Sequence, residues 1–575
     1  MMQFLELKKN LKKDFSHFQK VKVAVLGDSS TQLLTQAIRG LGYNEKLDLE
    51  IFEADYDQIE RQIFDLSSEL YQFVPELVII FHSVEKLISR FYKLSDEDKL
   101  RFADNHIENL TSLYDTIISK QSCKILYFNF AEIDDQVFGN YSNKVDSSFL
   151  YQLRKINYEL MNASQKLKNL FIVDLCALQS RCGYDFVCDS KIYVNTDIVF
   201  SLDFLPLIGK NLIDTIQAIR GKFKKCLIID LDNFLWGGIV GDDGIENIQI
   251  GPLGIGKAFT ELQMWIKQLK QRGVILAVCS KNQEHIAKEP FESHPDMVLK
   301  LDDIAVFVAN LDNKVNNIKH IQRVLNIGFD SMVFLDDSAF ERDMVRQYLP
   351  EVTVPELPED PAEYLNCLRK LNLFETASYS KDDHKRTLQY QQEAKRHLTR
   401  EAFVDEDDFL ASLDMTATVN AFNKFNGPRV AQLTQRSNQF NLRTIRYTEE
   451  DVQKIASSKD HHTFAFTLRD KFGDYGLISI IILKRQDGAL FIDTWIMSCR
   501  VLKRGMEKFV LNKIVRFAQK EKKYSRLIGE YIPTAKNGLV KDHYAELGFK
   551  KNEQGWVLDI NDFQLMKVFI KTEER

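Results

Sequence analysis

The chain has 575 residues, 45% of them hydrophobic and 27% charged, with a formal net charge of -6 at pH 7. That length exceeds one hydrophobic core, so three or four domains are expected. The composition is that of an ordinary globular protein, and the acidic balance gives no footing for nucleic acid.

From the amino terminus, residues 1–22 alternate lysines with apolar residues and lack the continuous apolar stretch of an export signal. The longest apolar run, residues 477–483, is too short to span a bilayer. The eight cysteines form no Cys-x-x-Cys pair, so a zinc site is not expected and the thiols read as reduced, in a cytoplasmic protein.

Residues 1–220 alternate strand-like runs (21–26, 77–81, 124–129 and 170–174) with helical spacing (32–39 and 149–167). That pattern predicts a doubly wound parallel sheet. The first strand runs into Gly27-Asp28-Ser29-Ser30, which resembles the nucleophile block of SGNH-type (GDSL) hydrolases. A serine at such a turn needs a base. Residues 197–207 contain no Asp-x-x-His pair and His82 lies in another segment, so a degenerate SGNH-like domain, binding a partner or an acyl unit, is expected.

Residues 221–375 carry the chemistry. An apolar run, 226–229, ends in Asp230-Leu-Asp232 and a glycine-rich turn. Carboxylates beyond the carboxyl end of a buried strand sit where open α/β sheets place their ligands. Asp230 can attack phosphorus, Asp232 can handle the leaving group's proton, and both can help hold a hard cation. A second strand, 274–278, leads to Cys279-Ser280, whose hydroxyl can donate to phosphate. Lys314 opens an amphipathic helix and can supply a positive charge beside that helix's amino end. A third strand, 331–335, is capped by Asp336-Asp337, further carboxylates for Mg²⁺. Too few residues separate these motifs for a cap domain. The resulting open site suits a substrate carried on a protein.

This ordered set resembles the haloacid dehalogenase (HAD) superfamily. Residues 230–244, 277–282, 313–318, 334–342, 497–505 and 531–538 resemble FkbH-like proteins, the HAD subgroup IIIC. The resemblance is strong over 221–575 and weak before it. One departure is Phe234, where that family has Thr. The resemblance implies Mg²⁺ as cofactor. It also implies transfer of a glyceryl unit from 1,3-bisphosphoglycerate to the phosphopantetheine thiol of an acyl carrier protein, with loss of phosphate. Its proposed cysteine thioester would fall on Cys279, which can equally be a buried strand residue.

Four prolines between 350 and 361 mark an exposed segment, and 376–414 reads as a charged helical linker. Residues 415–575 carry strands (463–468, 476–483 and 489–497), a helix (505–521), a strand (527–531) and a helix-to-strand passage (543–549). That order resembles the GNAT acetyltransferase fold. Arg500 to Glu507 stands where that fold grips coenzyme A, but the glycine spacing differs and Glu507 adds a negative charge. Contact with a pantetheine arm or carrier protein is expected instead, with Arg500, Arg504, Lys536, Asn537 and His543 as candidates. The expected fold is therefore multidomain α/β: an SGNH/flavodoxin-like sheet, a capless Rossmann-like HAD domain and a GNAT-like α+β domain. Three functions follow: carrier-protein acylation, plain Mg²⁺-dependent phosphatase, or a weakened carrier-binding scaffold.

Overall fold

The computed structural model describes residues 3–379, 386–400, 403–498, 501–534, 536–553 and 555–573. It comprises two compact units, Met1–Gln217 and Ala218–Arg575.

The first unit is built on five parallel strands: β1 (Gln19–Gly27), β2 (Leu47–Glu53), β3 (Leu77–Phe81), β4 (Lys124–Phe128) and β5 (Leu170–Val173), in the order β2-β1-β3-β4-β5. β3 and β4 are buried along their whole length, as continuous apolar strands covered on both faces should be. β2, absent from the sequence-based expectation, is an edge strand with alternating burial at its start.

The second unit holds two sheets. The first has four parallel strands, β6 (Cys226–Ile229), β7 (Ile275–Ser280), β8 (Val306–Ala309) and β9 (Met332–Leu335), in the order β8-β7-β6-β9. Period-two alternation divides its side chains between two cores. Leu227, Ile229, Leu276, Val278, Val333 and Leu335 pack with the helix Gly256–Gln271 on one face. Cys226, Ile228, Ala277, Cys279, Met332 and Phe334 pack with the helix Lys314–Leu325 on the other. β6 lies inside the sheet, so Asp230 emerges at its carboxyl edge with a strand on either side.

The second sheet has eight strands: β10 (Met415–Asn420), β11 (His461–Asp470), β12 (Gly473–Gln486), β13 (Ala489–Met497), β14 (Arg526–Gly529), β15 (Lys550–Asn552), β16 (Gly555–Asp559) and β17 (Ile570–Thr572), in the order β15-β16-β14-β13-β12-β11-β10-β17. β11 to β13 are antiparallel, and the helix Met506–Glu521 carries the chain from β13 to the parallel β14. This is the GNAT-like α+β arrangement. β13 and β14 pair only as far as Ile492 and Gly529. Beyond that point the segment 440–442 lies between them. Met497 N–H donates to the Phe440 carbonyl (3.2 Å) and Ile532 N–H to the Leu442 carbonyl (2.9 Å).

The two sheets are joined by a packed helix, Arg386–Arg400. Gln391 donates to the Ile304 carbonyl (2.9 Å), and Arg396 makes a two-pronged pair with Asp470 (2.7 and 2.8 Å). Among the described residues no helix is long and apolar enough to cross a membrane.

Candidate active site

Four chain segments deliver polar side chains to the carboxyl edge of the β8-β7-β6-β9 sheet. Asp230 follows β6, Ser280 ends β7, Asp336 and Asp337 follow β9, and Lys314 opens the helix after β8. Asn313 caps that helix, its side chain accepting from Asn316 N–H (2.8 Å), and this fixes where Lys314 starts.

Lys314 is the hub. Its Nζ stands 2.8 Å from Asp230 Oδ2 and 2.5 Å from Asp336 Oδ2, with all three side chains buried. Burial opposes the lysine charge, but the two carboxylates outweigh it and hold its pKa above the ordinary lysine value. Burial, together with the Asp230 charge, pushes Asp336 up to about 7. Asp337, also through burial and Asp230, is raised. Carboxylate oxygens of Asp230, Asp336 and Asp337 all lie within 4.8 Å of one another. Three crowded carboxylates against one lysine leave net negative charge and free oxygen lone pairs. That is the donor set a hard divalent cation takes.

Asp232 does not join this group. Its Oδ1 accepts from the Trp236 indole N–H and the Val240 N–H (both 3.0 Å), and its Oδ2 from Asn282 Nδ2 (3.1 Å). The turn after β6 brings these donors round. Asn233 and Gly238 take positive φ, and a β-carbon on Gly238 would stand 2.7 Å from Asp243 Oδ2. Burial raises the Asp232 carboxyl, against the pull of these three N–H donors, which favour its charged form. Asp232's side chain, expected among the metal ligands, is held instead by these three N–H donors, outside the group of three carboxylates.

Cys279 lies in the core, one residue before the end of β7. Its side chain is fully buried in the core beneath the helix Lys314–Leu325, with Sγ 3.9 Å from the Lys314 carbonyl oxygen. Burial pushes its thiol pKa up, so a resting thiolate is disfavoured. Ser280, one residue on, is buried at the sheet edge. Phe234 is fully buried and stacks on Tyr364, with ring centroids 5.7 Å apart. It thus packs into the core where the resembling family has a hydroxyl.

No cap domain is inserted among the described residues. Between β6 and the helix Gly256–Gln271 the chain forms one four-residue helix, and between β7 and β8 one longer helix, Glu284–Ser293.

The candidates in the last domain are not brought together. Arg500 lies outside the described residues. Arg504 is buried, its NH2 2.6 Å from Glu393 and its NH1 3.5 Å from Asp470, so it is committed to the fold. Asn537 is buried and donates to the carbonyls of Asn441 (3.0 Å) and Ile532 (2.9 Å). His543 is wedged edge-on against Phe440 and Trp495. Lys536 pairs with Asp330, which precedes β9. Glu507 is half-buried in the first turn of its helix, and burial raises its carboxyl.

In the first unit, Ser29 is buried, and its Oγ has no hydrogen-bond partner among the described residues. Asp28 accepts from Ser83 N–H (2.9 Å). Gly27 pairs with Phe81 across β1 and β3, so His82 follows beside Asp28, a proximity the sequence separation hid. His82 Nδ1 and His106 Nε2 each lie 2.9 Å from the Tyr127 hydroxyl.

Sequence reasoning gave no role to Trp236, Asn282 or Arg342, although all three lie in the stretches that carried the family resemblance. For Trp236 the available signal was an indole donor a few residues from a motif carboxylate; Asn282 meets Asp232 only through the pairing of β6 and β7.

The second unit's parallel sheet and its carboxylate–lysine edge are those of a HAD-type phosphatase domain. The profile described as FkbH, N-terminal domain matches residues 22–217. Among solved structures, the N-terminal part of a Bacteroides fragilis protein, containing a phosphatase domain and complexed with Mg, is 56% identical with a TM-score of 0.64. The match covers 66% of this chain and 100% of that one. The ribosomal-protein-S18-alanine N-acetyltransferase of Escherichia coli matches at 14% identity and a TM-score of 0.20, over 25% of this chain and 94% of that one. No curated protein matches. The chain belongs to the FkbH-like family.

Proposed function

We propose that this protein is a Mg²⁺-dependent, HAD-type enzyme that forms a glyceryl-type thioester on an acyl carrier protein. Its donor would be a phosphorylated acyl compound such as 1,3-bisphosphoglycerate, with release of phosphate. The observation that carries the reading is the uncapped strand edge on which Asp230, Lys314, Asp336 and Asp337 converge. Asp230 attacks phosphorus, the bond to the leaving oxygen breaks, and Asp232 delivers a proton to that oxygen. Water then releases phosphate from the aspartyl ester. Lys314 and Ser280 neutralise and orient the phosphoryl oxygens. Asp230, Asp336 and Asp337 would hold Mg²⁺, which supplies charge neutralisation at the phosphoryl group. In the acyl step the carrier thiol attacks the carbonyl of the acyl phosphate and gives up its proton, the bond to the phosphate oxygen breaks and inorganic phosphate leaves; the phosphoryl group that Asp230 takes is the phosphomonoester at the other end of the donor. With Cys279 buried, we assign that attack to the carrier thiol directly.

A plain phosphatase is the second reading, favoured by the same burial of Cys279, which leaves no exposed thiol in the site. Intact-protein mass spectrometry after incubation with Mg²⁺, 1,3-bisphosphoglycerate and holo carrier protein separates the two. The acyl-transfer reading expects a hydroxylamine-sensitive glyceryl adduct on the carrier, which keeps its phosphate with Asp230→Asn. Phosphate release without any carrier adduct would leave the phosphatase.

A further inference from the structure

Arg342 lies in the helix Ala339–Tyr348, just beyond the Asp336-Asp337 pair, and is 6% exposed. Its NH1 donates to two successive carbonyls, those of Asp336 (2.9 Å) and Asp337 (2.7 Å). Its NH2 donates to Glu356 Oε2 (3.1 Å), and Arg346 holds Glu356 from the other side at 2.5 Å.

The two carbonyls belong to the peptide groups on either side of the Asp337 α-carbon. Fixing both planes fixes φ and ψ of that residue, and with them the direction of its Cα–Cβ bond. The neighbouring Asp336 carboxylate is pinned independently, by Lys314 and by Ser338 N–H donating to its Oδ1 (2.9 Å). Asp337 is the half-exposed member of the group of three. Its aim depends on the backbone beneath it.

We propose that Arg342 is a positioning residue for the cation-binding carboxylates, holding the two peptide planes that aim Asp337 at Asp230 and Asp336. The proposal rests on the reading of those three carboxylates as a divalent-cation site. Arginine is required because one planar guanidinium reaches both carbonyls and Glu356 at once, and a lysine ammonium has no such fork. Groups that orient metal ligands typically alter affinity by about 10–100-fold when removed.

The test uses the full chain and Mn²⁺ as probe, with binding read by calorimetry and by the electron paramagnetic resonance of free Mn²⁺, without substrate. Arg342→Lys and Arg342→Met are compared with wild type, with Asp337→Asn as the reference for a lost ligand. Glu356→Gln keeps the clamp on both carbonyls. We expect Mn²⁺ affinity to fall at least about tenfold in both Arg342 variants, approaching Asp337→Asn, and to stay within about twofold in Glu356→Gln. Melting temperatures without metal report folding; should Arg342→Met fail to fold, Arg342→Lys decides. Wild-type affinity in a folded Arg342→Lys protein overturns the positioning role alone. Absence of Mn²⁺ binding by the wild type overturns the cation site and this proposal with it.

Discussion

The indole N–H of Trp236 donates to Asp232 Oδ1 across 3.0 Å, so a core side chain orients the carboxylate we propose as the proton carrier. Trp236 is fully buried and packs edge-on against Phe291, which fixes the indole. Trp236→Phe keeps the packing and removes the donor. Phosphate release should fall by about tenfold, about 1.4 kcal/mol of barrier. Steady-state kinetics at saturating Mg²⁺ check this, and an unchanged rate would show that Val240 and Asn282 suffice.

Cys279 behaves as a core residue in this geometry. Cys279→Ala should cost about 1 kcal/mol of stability and leave phosphate release within a few fold. Carrier loading, where observed, should survive as well. Loss of loading with phosphate release intact would restore the cysteine as an acyl acceptor.

Arg504 is an element of the fold. It meets Glu393 and Asp470 in a buried network that Arg396 completes. Removing one partner of a buried ion pair leaves an uncompensated charge, at about 3–5 kcal/mol. Arg504→Ala should therefore lower the unfolding midpoint of the second unit sharply. A variant of undiminished stability with weakened carrier binding would reverse the assignment.

Acid should destabilise both units through buried histidines. Burial, aided by Arg90, lowers His106 to about 4; burial alone lowers His543 to about 3; and His82 lies well below the ordinary 6.5. A depressed folded pKa contributes stability that is fully present above the unfolded value and is lost as pH falls towards the folded one. Each histidine thus withdraws up to about 1.4 kcal/mol per pH unit below 6.5. Asp28 works in the opposite sense between 3.8 and about 6, because burial raises it. His543 lies against Trp495, so tryptophan fluorescence during acid titration follows the second unit. His543→Phe should shift its acid midpoint to lower pH; an identical midpoint would remove His543 from the balance.

The HAD edge was legible because its residues sit at strand ends, where an apolar run stops at a carboxylate or hydroxyl. β2 escaped because acidic residues interrupt its apolar positions, and β8 because it has only four residues. The Asp28–His82 proximity was invisible because strand pairing, and not chain distance, creates it. Arg504 and Asn537 looked like surface binders since a sequence does not show which charged or amide groups find partners inside. The separation of Cys279 from Ser280 needed only the period-two alternation of a strand, applied to adjacent residues.

The anchoring of the last domain lies at one end of the HAD sheet. Lys225, just before β6, donates to the Arg436 carbonyl (2.8 Å), and Asp330, just before β9, meets Lys536. Both attachments are at the amino ends of strands whose carboxyl ends carry the carboxylates. The second unit is therefore polar in the way a tool is, gripped at one end and working at the other. Substitutions in the last domain that disturb Arg436 or Lys536 act on the ends of β6 and β9 opposite the carboxylates.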